Sequence, residues 1–379
     1  MSSSNNSRPL AAGGYSGRVV YMFAYDLAYD MTRQPLTSLL GRPIEQYATE
    51  TSKRTPRQLF FYRPRMIRLP SEKRVGPHGT IDVERTVKLF PVGAVSISVS
   101  VPFEVAGIEQ LVDYHDLRFA EGSLDQEVHA IAEQLRLELA PYCIRPVEQI
   151  REGEVYTVFC IRSPMYDADG KAIDAEDFLL ANRRQVAALL TQEANAEDLS
   201  EQEATESTGK YLSYYQTDLA VLDWDAAMVI DDEGDFDQIL HIMELANVQL
   251  AELEEYDRIL DESIERSYRD LSGRRPATSA AMLRSLREIR VDLTRLSDEL
   301  SNNTKFFGDW HLARIYQHLS DRFHLSQWHS VIDEKLKTLD DLYELFKQEH
   351  NNRWMMLLEA IIVLLFVIDL VIIVLLGVK

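Results

Sequence analysis

Cysteine is almost absent from this 379-residue chain, and basic residues are outnumbered by acids. Cys143 and Cys160 are the only cysteines, and both sit among apolar neighbours. They offer no disulfide framework, which agrees with a reducing compartment. Forty Lys and Arg stand against 61 Asp and Glu, a formal net charge of −21. A polymer so acidic is not a nucleic-acid binder by overall composition. The N-terminal stretch 1–14 holds no apolar run of signal-peptide length and reads as a polar, disordered leader, assigned to residues 1–16. That leader contains no acid, so a mitochondrial presequence is the alternative. The phosphate-binding G-x-x-x-x-G-K-[ST], the dinucleotide G-x-G-x-x-G and the nucleophile G-x-S-x-G are all missing. With no paired Cys/His metal arrangement either, no enzyme, metal or cofactor is expected.

What is present in excess lies at the C-terminus. Residues 360–368 and 370–378 are two unbroken apolar stretches separated only by Asp369. As one helix they rise about 28 Å, close to the roughly 30 Å hydrocarbon core of a bilayer. Leu and Ile contribute about −0.3 to −0.6 kcal/mol each to insertion, whereas a central Asp costs about 2.5 to 3.5 kcal/mol. The apolar residues outweigh the acid, so 354–378 is expected to be a transmembrane anchor. Lys335, Lys337, Lys347 and Arg353 precede it and only Lys379 follows, which places the N-terminal bulk in the cytoplasm. A tail-anchored protein of a bacterial inner membrane follows, with the mitochondrial inner membrane as the alternative.

The remaining sequence divides by pattern. With 46% hydrophobic residues there is room for two folded units besides the anchor. Residues 18–25, 60–69, 80–89, 155–161, 219–222 and 227–230 have strand composition and length. Val95, Ile97, Val99 and Val101 alternate with Ser96, Ser98 and Ser100, the period of a strand with one buried face. The segment 91–93 before it reads as a hairpin turn. Residues 124–139 and 175–191 are amphipathic helix candidates. Together these predict an α+β domain over 17–232, whose strand order the pattern leaves open. Inside it, 192–209 carries six acids and no base and is expected to be a disordered loop.

From 235 to 350 the pattern is helical. Ile239, Ala246, Leu253 and Leu260 recur every seven residues, with Met243, Leu250, Ile264 and Leu271 beside them. Gly273 and Pro276 end that helix. Met282, Leu286, Ile289, Leu293, Leu296 and Leu300 then form a 4–3–4–3–4 seam, the spacing of a coiled coil. The expected architecture is an α+β N-terminal domain, then a long antiparallel helical hairpin or coiled coil, then a stalk and the transmembrane helix. A shorter helix over 309–323 and a last one from 326 complete it. Between 331 and 379 there is no proline and only Gly377, so stalk and anchor are predicted to be one continuous helix.

The C-terminal half also carries a set of local motifs. Phe307, Gly308 and Asp309 form a turn; Arg322 and Phe323 are followed by Trp328; a Lys-Leu-x-x-Leu-x-x-Leu-Tyr run spans Lys335 to Tyr343. Leu358 and Glu359 open the terminal apolar helix, and Glu252, Glu254 and Tyr256 lie in the long helix upstream. Over residues 215–379 this resembles the "required for meiotic nuclear division" family of single-pass membrane proteins. The resemblance implies membrane anchoring and self-association. Mitochondrial members are implicated in tethering translation machinery to the inner membrane, and no catalytic motif is carried over.

The residues that follow from these patterns are few. Asp369, with Glu359 nearer the headgroups, is the expected association surface of the membrane helix. The seam from Met282 to Leu300 is the expected site of homo-oligomerisation. Residues 1–80 hold 12 Lys and Arg against five acids. There Arg57, Arg63, Arg65 and Arg68 interleave with Phe60, Phe61 and Tyr62. These basic groups can meet RNA or a ribosome, anionic headgroups, or the chain's own acids. His311, His318, His324 and His329 lack metal-ligand spacing and read as packing residues. The aspartates at 223, 225, 231, 232 and 235 read as turn and capping groups. The function expected is a membrane scaffold or tether; an RNA-binding tether and an enzyme housed in the α+β domain are the competing classes.

Overall fold

A computed structural model describes residues 14–32, 35–46, 64–90, 93–120, 122–167, 169–272 and 310–376. The chain divides into two compact units. One comprises Met1–Glu255 with Leu300–Ser326, the other Tyr256–Glu299 with Gln327–Lys379. The sheet unit therefore keeps residues 235–255, which the sequence pattern had assigned to the helical region.

Ten strands form the sheet: β1 Tyr15–Asp26, β2 Glu45–Gln46, β3 Arg65–Arg68, β4 Glu72–Gly76, β5 Gly79–Leu89, β6 Ala94–Val105, β7 Glu154–Arg162, β8 Tyr211–Leu212, β9 Leu219–Leu222 and β10 Ala226–Asp231. Their order is β8-β9-β10-β7-β1-β6-β5-β3-β2, with β4 paired to β5 outside this path. Local hairpins make β5–β6 and β9–β10 antiparallel. Among the described residues only β7–β10 is parallel, with Thr157 opposite Ala226 and Ile161 opposite Ile230. A parallel pair needs a long connection. Here it is supplied by helices α2 Ala175–Ala181, α3 Arg183–Leu190 and α4 Glu201–Thr208. The turn into β6 closes through Phe90 N–H donating to the Ala94 carbonyl at 2.9 Å. Gly93 takes φ 95° there, a conformation that disfavours any side chain.

Helix α1, Leu124–Leu139, covers one face of the sheet, as its predicted bounds required. It starts where the Ser123 hydroxyl accepts the Gln126 N–H, and it buries Leu124, Val128, Ala132, Leu135 and Leu139. These join Val95, Ile97, Val99 and Val101 of β6 and Tyr21 and Phe23 of β1 in the main core. The alternate residues of β6 are not left to water. Ser96 is fully buried, because α5, Phe236–Ser272, packs Leu245, Val248 and Ala251 against Ala24, Phe90 and Ala94 on the opposite face. The sheet is thus covered on both sides.

Two expectations are corrected. The predicted helix over 175–191 is two helices, because Asn182 leaves helical dihedrals and its amide donates to the Phe178 carbonyl at 2.9 Å. The acidic stretch 192–209 is ordered. It contains a 3-10 turn, Ala196–Asp198, and α4, whose N-terminus is capped by the Ser200 hydroxyl at 3.0 Å from the Glu203 N–H. Ala204, Ser207 and Thr208 are buried on one side of α4 while its acids face solvent near its positive end. Average composition conceals such a small-residue stripe.

Gly17 shows how closely β1 and β7 approach. A Cβ built there would collide with the Cys160 carbonyl oxygen, a backbone atom that cannot swing aside. Gly17→Ala is expected to lower stability by about 1–3 kcal/mol, read as a fall in the thermal unfolding midpoint. An unchanged midpoint would show that this strand pair is not set as described.

In the helical unit, the Tyr256–Ser272 part of α5 and the part of α7 (Leu325–Leu376) from Gln327 onward are described. Leu260, Ile332, Leu339 and Leu342 are buried in this unit, and the Lys335 ammonium lies 2.7 Å from both Asp257 and Asp261. Helix α6, Trp310–Arg322, belongs to the sheet unit and buries Leu312, Ile315, Tyr316 and Leu319. The seam Met282, Leu286, Ile289, Leu293, Leu296 and Leu300 lies outside the described residues.

Candidate functional site

One helical segment among the described residues is long and apolar enough to cross a membrane. It is Trp354–Ile372, 19 residues of α7, and none of it is buried. No proline or glycine breaks the helix between Leu325 and Leu376. From Met355 to Ile372 every Met, Leu, Ile, Val and Phe side chain is exposed, Phe366 to 71%. Soluble monomers rarely leave a contiguous apolar surface of that extent in water. Glu359 and Asp369 lie on this exposed segment.

The sheet unit holds a second concentration of chemistry, which pattern reasoning did not find. Lys88 of β5 forms an ion pair with Glu244 of α5, and the Glu244 side chain is 1% exposed. The hydroxyls of Ser96 and Ser98 on β6 donate to the other Glu244 oxygen at 2.7 and 3.0 Å. Three residues on, the Asn247 amide donates to the Met22 and Glu154 carbonyls at 3.2 Å each, spanning β1 and β7. Burial opposes the Glu244 charge, but the Lys88 ammonium and the His241 ring outweigh it and hold the carboxyl at about 2. His241 itself is pushed below the usual imidazole value by burial. The arrangement is a clamp that fixes the rotation of α5 on the sheet. Its only sequence signal was an acid between Met243 and Leu245, inside an apolar stripe.

Of the basic residues singled out, Arg57 and Arg63 lie outside the described residues. Arg65 is half-buried, with its guanidinium 3.7 Å from the Met31 sulfur, and Arg68 is exposed at the end of β3. The histidines are packing groups in part: His311 meets the Tyr214 ring edge-on at 6.2 Å and His324 lies 5.7 Å from Trp224. Burial lowers the pKa of His318 and His329. Asp223 accepts the Trp224 N–H at 3.0 Å and lies 3.4 Å from the Arg322 guanidinium. Asp231 accepts the Asp232 N–H at 2.7 Å. Burial pushes the Cys160 thiol up to about 12, so it is chemically quiet. Among the described residues no group of three or more His, Cys, Asp or Glu is placed to hold a metal ion.

A family model described as "Uncharacterized protein MJ0711, N-terminal domain" matches residues 16–237, from β1 to the first turn of α5. This chain belongs to that family. A relative from Methanocaldococcus jannaschii, "Uncharacterized protein MJ0711", is 25% identical over 219 residues. That alignment covers 58% of this chain and 65% of the relative, so the chain spans a little under two thirds of the relative's length. No solved structure matches. The MJ0711 N-terminal domain is therefore the sheet unit without most of α5 and without α6 and α7.

Proposed function

We propose that this protein is a single-pass membrane scaffold or tether that holds its MJ0711-type domain at a membrane surface and self-associates. The reading is carried by the fully exposed apolar segment Trp354–Ile372. Burying one Leu, Ile, Val, Phe or Met side chain is worth about 1.5–3 kcal/mol. Fifteen such side chains are exposed from Met355 to Ile372, so lipid offers a stabilisation of tens of kcal/mol. The single Asp369 opposes it by about 2.5 to 3.5 kcal/mol. The balance favours insertion by a wide margin.

Orientation follows from the charges on either side of the helix. Lys335, Lys337, Lys347 and Arg353 precede it, which favours the cytoplasmic side for the sheet unit. Its continuity with the rest of α7 favours a stiff stalk over a flexible linker at the membrane surface. Self-association would use the seam from Met282 to Leu300 and, in the membrane, Asp369. A carboxyl in hydrocarbon is best satisfied by a partner of its own kind or by a neighbouring polar group. The resemblance over 215–379 supports the same reading.

Asp369→Leu separates anchoring from assembly. The variant is expected to remain in the carbonate-resistant membrane fraction while its crosslinked oligomers decline several-fold. Unchanged oligomer size would remove Asp369 from the association surface. Protease added from the cytoplasmic side of vesicles is expected to digest the N-terminal bulk; protection there would reverse the orientation.

A further inference from the structure

Helix α6 buries one face and leaves the other to solvent. Leu312, Ile315, Tyr316 and Leu319 are buried, and the Tyr316 hydroxyl donates to the Gln249 side chain of α5 at 2.6 Å. At about 100° per residue, the opposite stripe consists of Trp310, Arg314, Gln317 and Asp321. His324, just past the last turn, continues it at the same 4–3–4–3 spacing. All five residues are exposed, Trp310 to 80%. Tryptophan is highly buried on average, and Trp and Arg are among the residues that anchor protein interfaces.

The order of charges along this stripe selects the partner. Arg314 has no ion-pair or hydrogen-bond partner among the described residues. The Asp321 carboxylate accepts the Gln317 amide at 3.0 Å and pairs with no cation among them. Its neighbour Arg322 is engaged elsewhere, 3.4 Å from Asp223 and donating to the Glu206 carbonyl at 3.0 Å. Arg314 and Asp321 are seven residues apart, about 10 Å along the axis, so they do not meet within one helix. In two antiparallel copies related by a two-fold axis between Gln317 and His318, each Arg314 lies opposite the other copy's Asp321. The same axis carries Trp310 to the far end of the other helix, where the exposed Trp224 and the His324 ring lie 5.7 Å apart.

Read in either direction, the stripe runs aromatic, charged, polar, oppositely charged, aromatic. Such a surface is complementary to itself, which is what an isologous contact requires. A phosphate-bearing partner would satisfy Arg314 but set like charge against Asp321. We propose that the solvent face of α6 is a two-fold contact between copies of this chain, with two Arg314–Asp321 pairs flanking the axis and Trp310 as the anchor at each end. The inference deepens the self-association proposed above and rests on that reading. Thirteen residues of helix are small against the roughly 800 Å² per partner of a free-standing interface. The contact therefore acts between chains already held close together in one membrane. It lies outside the MJ0711-type domain, which ends at residue 237.

The test is thiol crosslinking of the full-length chain in membranes. Gln317→Cys places a thiol at the axis, and a short bismaleimide should then give a product of twice the chain mass. The native chain, whose Cys143 is half-buried and Cys160 buried, is the blank. In the Gln317→Cys background, Arg314→Glu or Asp321→Arg alone sets like charges opposite each other and should lower the yield several-fold. Arg314→Asp together with Asp321→Arg exchanges the charges and should restore it, which neither misfolding nor a change of net charge can do. Asp82→Lys, exposed on β5, should leave it unchanged. The proposal is overturned if no such product forms while native mass measurement in nanodiscs still shows oligomers, if the single reversals have no effect, if the exchange fails to restore the yield, or if the thiol is captured by a different protein. Monomers alone in nanodiscs would overturn self-association itself, and this contact with it.

Discussion

Glu244→Ala is expected to destabilise the sheet unit by about 3–5 kcal/mol, the usual cost of breaking a buried ion pair from one side. The variant removes the carboxylate that meets Lys88 and accepts from Ser96 and Ser98. It leaves an ammonium and two hydroxyls on a face that α5 shields from water. The double variant Lys88→Met, Glu244→Leu removes charge from both partners and should recover most of the loss, since apolar replacement of a whole buried pair is often neutral. Thermal or denaturant unfolding of the two variants separates the ideas. If Glu244→Ala is near neutral, or if the double variant is no better, the clamp contributes little and α5 is held by apolar packing alone.

The same pair gives a pH signature. Glu244 has a folded value of about 2, below the ordinary 4.5. Its contribution is therefore complete above about pH 4.5 and is lost as pH falls through about 2. The native chain should lose stability progressively over that window. The Lys88→Met, Glu244→Leu double variant should show a flatter acid limb, visible in unfolding midpoints measured between pH 2 and 5.

The second large effect concerns the membrane. Val363→Arg combined with Phe366→Arg should move the protein out of the carbonate-resistant fraction. Each Arg near mid-helix costs about 2.5 to 3.5 kcal/mol on insertion scales and also removes an apolar contribution. With Asp369 already present, three ionisable groups then fall within seven residues of one another. A control pair on the exposed face of α4, Glu203→Arg with Glu206→Arg, changes charge without touching the apolar helix and should remain membrane-bound. If the Val363→Arg, Phe366→Arg chain still resists carbonate, the exposed segment Trp354–Ile372 packs against protein rather than lipid, and the scaffold reading loses its main support.

Several features were legible because they depend on neighbours in sequence. The bounds of α1 follow from Ser123, which caps it, and from apolar residues repeating along one helical face. The β5–β6 hairpin follows from Gly93 and the alternation after it. The apolar tail needs only its own composition. The acidic stretch before Gly209 was misread because six carboxylates dominate its average, while order depends on Ala204, Ser207 and Thr208 lying side by side. Pattern took Ser96 and Ser98 for a solvent face, since a strand with alternate serines looks the same whether water or a helix covers it.

The amino-acid sequence alone determined where several of the longer helices and strands lie, that the chain is acidic and thiol-poor, and that the closing stretch of its last helix is apolar all round. Those are consequences of side-chain period and solvation, which operate within a few residues. Only the tertiary structure decided the strand order, the parallel union of β7 with β10, and the meeting of Lys88 with Glu244. Residues separated by 156 positions leave no local trace of their contact. Their pairing is fixed by sheet register and by the face that α5 presents, and both exist only after the chain has closed on itself.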